Sequence, residues 1–151
     1  MGEVADALST QIKEALKAGE KTRLSTLRML SASVRNKEVE LGHDLTEEEF
    51  VEVVGREVKR RKEAAEAYAS AGRPELETRE REEQAILEVY LPEQLSEEEL
   101  AKIVDEAIEA TGAAGPKEVG KVMAHVMGKF KGQADGSTVG RLARERLDSP
   151  E

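Results

Sequence analysis

The stretch from Val119 to Leu142 reads VGKVMAHVMGKFKGQADGSTVGRL. Val119, Met123, Val126, Met127 and Phe130 recur at i, i+3, i+4 and i+7 spacing, which is one apolar face of a helix. Lys131-Gly132-Gln133-Ala134-Asp135-Gly136 then interrupts the pattern, and Val139, Leu142 and Ala143 begin another apolar face. The stretch therefore predicts a helix, a tight glycine-bearing turn and a second helix. Asp135 is placed as the N-cap of the second helix, accepting a backbone N–H at Ser137 or Thr138. The local charge is basic, with Lys121, Lys129, Lys131 and Arg141 against Asp135. A polyanion-binding surface is sought here first.

The whole chain has the opposite balance. Its 151 residues carry a formal net charge of -9. That argues against a generally basic nucleic-acid coat protein, and no DNA partner is expected, although a local basic patch remains compatible with it. With no Cys, a disulfide framework, a thiolate metal site and a cysteine nucleophile are all excluded. His43 and His125 are too few for a histidine-rich metal centre, and neither a metal nor a cofactor is expected. The N-terminus, MGEVADALSTQIKEALKAG, is acidic and amphipathic rather than signal-like. No apolar run approaches the roughly 20 residues of a membrane span. The expectation is a cytoplasmic protein with an aliphatic core, since aromatics make up only 3% of residues.

Outward from the opening stretch, the helical pattern continues to the N-terminus. A first helix from Glu3 to Ala18 has a stripe of Val4, Leu8, Ile12 and Leu16, and Gly19 stops it. A second, from Lys21 to Gly42, lines its buried side with Leu24, Leu27, Leu30, Val34 and Leu41. Lys21, Arg28 and Arg35 recur every seven residues on one face. They form either a basic rail or, as expected, pairs with acids on adjacent helices. Thr46-Glu47-Glu48-Glu49 is a capping box that opens a third helix, with Leu45 stapled to Phe50. In that helix Lys59-Arg60-Arg61-Lys62 points in four directions, so a solvated face with i, i+4 pairs such as Glu57–Arg61 is expected rather than a nucleic-acid patch. Pro74 opens a fourth helix, whose charged first half is expected to project or fray. Pro92 ends it.

A domain boundary at Pro92 divides the chain into an N-terminal helical domain, 1–91, and a C-terminal three-helix domain, 92–151. Ser96-Glu97-Glu98-Glu99 repeats the capping box and opens a fifth helix that buries Leu100, Ile103, Val104, Ala107 and Ile108 before Gly112. Pro116 opens the sixth. The fold class is all-α, with four helices followed by three. The smaller domain lies at the small end of what folds alone.

Chemistry is sparse. The acidic triplets Glu47–Glu49 and Glu97–Glu99 suit the positive end of a helix dipole and need no catalytic role. Neither His43 nor His125 has a catalytic partner in the sequence, and Ser25, Ser31 and Ser33 lack a nucleophile elbow. No phosphate-binding loop or dinucleotide fingerprint is present. What remains is the cation cluster Lys121, Lys129, Lys131, Arg141, Arg144 and Arg146, beside glycines that permit close approach and a helix N-terminus with free N–H donors.

Three segments together resemble the YqeY-like family. They are Arg23-Leu24-Ser25-Thr26-Leu27-Arg28-Met29-Leu30, Tyr90-Leu91-Pro92-Glu93-Gln94-Leu95-Ser96, and Gly120-Lys121-Val122-Met123 with Lys131 to Gly136. The last two fall in the part that the family shares with the tail of the B subunit of the tRNA-dependent aspartyl/glutamyl amidotransferase. The resemblance implies an all-α, two-domain protein with a tRNA-associated tail module. On it, Lys121, Lys129, Lys131, Arg141 and Arg144 are the candidate RNA contacts, and Gly132, Asp135 and Gly136 form the structural turn. It does not transfer catalysis. The family label of carbon–nitrogen ligase with glutamine as amido donor finds no amidase constellation and no ATP-binding core in these residues. The expected function is a non-catalytic tRNA-associated module. The alternative is an adaptor whose N-terminal helices dock on an aminoacyl-tRNA synthetase or an amidotransferase subunit.

Overall fold

A computed structural model describes residues 2–148. Helices α1 (Glu3–Ala18), α2 (Lys21–Leu41), α3 (Glu47–Ser70) and α4 (Pro74–Glu88) precede Pro92, and α5 (Glu97–Thr111), α6 (Val119–Lys129) and α7 (Gly136–Asp148) follow it. No strand occurs among the described residues, and the fold is all-α. Two compact units divide between Leu91 and Pro92.

Local chemistry sets the helix ends. Gly19 takes φ +72, a left-handed conformation that a Cβ would penalise, and the following N–H of Glu20 reaches the Ala15 carbonyl. Thr46 and Ser96 each accept the N–H of the glutamate three residues on, and that glutamate's carboxylate accepts their own N–H. Both capping boxes are thus complete, and each satisfies two donors that a helix start leaves open.

In the N-terminal unit the core is Val4, Leu8 and Ala15 of α1, Leu27, Leu30 and Val34 of α2, Leu45, Val53 and Val54 around α3, and Leu87 of α4. Thr26 is also fully buried, and its hydroxyl donates to the Thr22 carbonyl one turn back. Two expected core residues are not in it. Leu16 is 57% exposed and Leu41 37% exposed. A stripe stepped by four residues precesses about 40° per step, so by Leu16 it has left the buried side and Ala15 has taken its place. Leu41 is the last residue of α2, well past Val34, the last of that helix's core.

The largest departure from expectation is Arg61. It is only 4% exposed, not solvated. Its Nε lies 3.4 Å from the Glu83 carboxylate of α4, and its Nη1 lies 3.5 Å from the Glu57 carboxylate. Nη1 also donates to the Glu57 carbonyl, and Nη2 reaches the Met29 sulfur. Both glutamates are buried. Glu57 further accepts the Ser33 hydroxyl at 2.7 Å, and exposed Arg60 and Arg79 flank the cluster through Glu57 and Glu83. The polar half of α4 therefore packs on α3 through charge and does not project. That helix ends at Glu88, earlier than Pro92 requires, and Val89 is exposed.

In the C-terminal unit, Leu100, Val104 and Ala107 of α5 meet Val122 and Val126 of α6 and Val139, Leu142, Ala143 and Leu147 of α7. Ile103 and Ile108 pack at its edge. Pro116 opens a 3-10 turn, Pro116–Glu118, before α6 rather than α6 itself.

Candidate nucleic-acid interface

The glycine turn is built by two segments distant in sequence. Gly132 has φ +79, which favours glycine, and the N–H groups of Gln133 and Ala134 turn back to the Phe130 carbonyl. Leu95 N–H donates to the Gln133 carbonyl at 2.9 Å, and the Gln94 amide donates to the Gly132 carbonyl. The Gln133 amide in turn donates to the Glu93 carbonyl. Residues 93–95 thus act as a clamp on the turn, and the turn's carbonyls are occupied by the protein itself. Asp135 begins α7 as its carbonyl accepts the Val139 N–H, while its carboxylate accepts the Thr138 hydroxyl at 2.9 Å. Gly136 is the first residue of α7, and a Cβ there would meet Met127 at an ordinary contact distance of 3.8 Å. The tight approach is at Gly140, where a Cβ would sit 3.4 Å from the Met123 sulfur and 3.3 Å from the Arg144 guanidinium.

The candidate cations are exposed but unequal. Arg141 is held by Glu97 at the start of α5 and by Glu145 at 3.0 Å. Arg146, half-buried, pairs with Asp105. Lys121 has a loose partner in Glu118 at 3.9 Å, and Lys131 is also engaged. Lys129 and Arg144 have no acidic partner among the described residues. Four-residue spacing aligns Lys121, His125 and Lys129 on one flank of α6, with exposed Lys117 before them in the 3-10 turn. That alignment was present in the sequence, and His125 belongs to it.

Other titratable groups lie in the N-terminal unit. His43 stands 3.5 Å from Glu49, a partner that its immediate sequence does not show. The Thr46 N–H holds the Glu49 carboxyl below its usual range, desolvation opposes this, and the Thr46 hydroxyl and His43 add to the lowering. Burial pushes the Tyr90 phenol up, against a smaller opposing pull from Arg23. The Tyr90 hydroxyl donates to Gln11 at the end of a cavity of about 360 Å³ that Val4, Leu8 and Phe50 help to line. No cluster of three metal-ligating side chains occurs among the described residues.

The family model described as Yqey-like protein matches residues 5–147, across both units. The chain belongs to the Yqey-like protein family. A relative of this Yqey-like chain is altered inheritance of mitochondria protein 41, mitochondrial, of Pyrenophora tritici-repentis (strain Pt-1C-BFP). The two are 26% identical over 145 residues, covering 94% of the Yqey-like chain and 80% of the relative. No helix among the described residues of the Yqey-like chain is long and apolar enough to cross a membrane.

Proposed function

We propose that this Yqey-like protein is a non-catalytic tRNA-associated module whose C-terminal unit contacts the phosphate backbone. The observation that carries the reading is the pair of exposed, acid-free cations Lys129 and Arg144, with weakly held Lys121, beside the clamped turn of an otherwise acidic chain. Phosphate contacts position a protein on RNA by shape and charge without reading base sequence. Arg141 joins when phosphate replaces Glu97 and Glu145. About three contacts give a log–log salt slope of about −2 to −3, so binding is weak at physiological salt. The test is fluorescence anisotropy of labelled bulk tRNA with the full chain and with Lys129→Glu/Arg144→Glu. Loss of affinity in the variant supports the reading, and unchanged affinity sinks this placement.

A second reading is an adaptor docking on an aminoacyl-tRNA synthetase or an amidotransferase subunit. It draws on the exposed Leu16, Met29, Val39, Leu41, Leu76 and Val89, all in the N-terminal unit. They are spread over α1, α2, α4 and its C-cap rather than over one element. Neither reading includes catalysis by this chain alone. Glutamine-dependent amide formation on mischarged tRNA by the purified protein would overturn both. The work is placed in the cytoplasm, and fractionation showing the chain in an organelle would move it.

A further inference from the structure

From Lys21 to Lys37 the chain reads KTRLSTLRMLSASVRNK, a run with five cations, Lys21, Arg23, Arg28, Arg35 and Lys37, and no Asp or Glu. This basic surplus exceeds that of the glycine turn. Arg23 and Lys37, near the ends of the run, are paired with Glu20 and Glu40. Lys21, Arg28 and Arg35 are exposed and have no acidic partner among the described residues, so the expected pairing with neighbouring helices does not form.

The geometry fixes them as a surface. Leu27, Leu30 and Val34 on the opposite side of α2 are buried, which prevents the helix from rolling. At about 100° per residue, Lys21, Ser25, Arg28, Ala32, Arg35 and Asn36 share an arc of roughly 100°. Successive cations stand about 10.5 Å apart along the axis, beyond the Debye length of about 8 Å at physiological salt, so they repel one another little. On the flank, Glu57 accepts the Ser33 hydroxyl and also holds exposed Arg60, which brings another cation beside α2.

We propose that this outer face of α2 is a docking surface for the phosphate backbone of structured RNA. The inference rests on the reading of the chain as a tRNA-associated module, but it uses a surface in the other unit. Phosphate contacts come from cations together with hydroxyl and amide donors, and Ser25 and Asn36 supply those donors between the charges. Arginine forks bind phosphate oxygens in pairs. Small side chains at Ser25 and Ala32 let the helix lie close to the wide, shallow minor groove of A-form RNA and its flanking phosphates. A protein partner would need a contiguous apolar centre. Here Met29 turns toward Arg61 at the edge of the face, and Val39, which shares the arc one turn past Arg35, stands about 15 Å along the axis from Met29, so the two form no contiguous apolar centre.

The experiment compares labelled bulk tRNA binding by the full chain, by Lys21→Gln/Arg28→Gln/Arg35→Gln, and by Lys129→Glu/Arg144→Glu, across a salt series. All three substitutions on α2 are at exposed positions, and circular dichroism checks the fold. The expected result is at least a tenfold loss at about 50 mM salt, and a slope shallower by about 2 to 3, for the α2 variant. Unchanged binding by that variant, with loss in the tail variant, overturns the α2 surface and leaves the tail reading standing. Absence of wild-type binding at low salt overturns both. Displacement of tRNA by polyglutamate at equal charge overturns the RNA assignment in favour of acidic protein surfaces.

Discussion

Arg61→Met tests how the buried charge cluster contributes to the N-terminal unit. The substitution keeps most of the side-chain volume and removes the cation between two buried carboxylates. Breaking a buried ion pair by removing one partner costs about 3 to 5 kcal/mol, because the remaining charge is uncompensated. The lower end of that range applies here. Arg60 and Arg79 stay within 3.4 Å of Glu57 and Glu83, and both reach solvent. The contacts that are lost are not short: 3.4 and 3.5 Å for the ion pairs, with Arg61 Nε and Glu57 Oε2 each lacking a well-formed hydrogen bond. Arg61→Met should therefore cost about 3 kcal/mol. Replacing the cluster and its hydroxyl together, as Glu57→Leu/Arg61→Met/Glu83→Leu/Ser33→Ala, should lie within about 1 kcal/mol of wild type, since an apolar cluster no longer bears the desolvation of three charges. Urea unfolding followed by tyrosine fluorescence is the assay. Tyr68 and Tyr90 are the chain's two tyrosines and there is no Trp, so the signal reports the N-terminal unit. A cost below about 1 kcal/mol for Arg61→Met, or a quadruple variant less stable than the single, would show that Arg61 does not compensate the buried carboxylates.

Three further outcomes follow from local geometry. Ser96→Ala removes a capping box and should cost the C-terminal unit about 1 kcal/mol, read by hydrogen exchange in α5, with the tyrosine-detected transition unchanged. Gly132→Ala places a Cβ at φ +79 and should cost about 1 to 2 kcal/mol and loosen the Leu95–Gln133 hydrogen bond, seen as faster exchange of the Leu95 amide. The folded Glu49 carboxyl titrates below its unfolded value of about 4.3. Its contribution to stability is therefore present above that pH and is lost as pH falls through the folded pKa. Glu49→Gln should flatten this part of the acid limb in a pH series of urea midpoints, and an unchanged limb would contradict the assignment.

The parts of the fold that were legible in the sequence are those decided within a few residues. Gly19, Thr46 and Ser96 fix helix ends through bonds to neighbours three to five positions away, and the structure reproduces them. Arg61 was misread because four-residue spacing offers it Glu57 and a solvated face. Its burial comes from Glu83 on another helix, which no local pattern shows. The same holds for the clamp of Gln94 and Leu95 on the glycine turn, and for Glu97 on Arg141. Leu16 differs, because the precession of its stripe was calculable from spacing alone. The acid-free run of α2 was also visible, and the expected pairing of Lys21, Arg28 and Arg35 obscured it.

Phosphate-backbone recognition by this protein is measured by the salt dependence of bulk tRNA binding to the full chain, followed by anisotropy. Saturable binding is expected, with a log–log slope between about −2, for tail contacts alone, and about −5, with the α2 face engaged. Absence of saturable binding at about 20 mM salt, or affinity indifferent to salt, would contradict phosphate-backbone recognition by this protein.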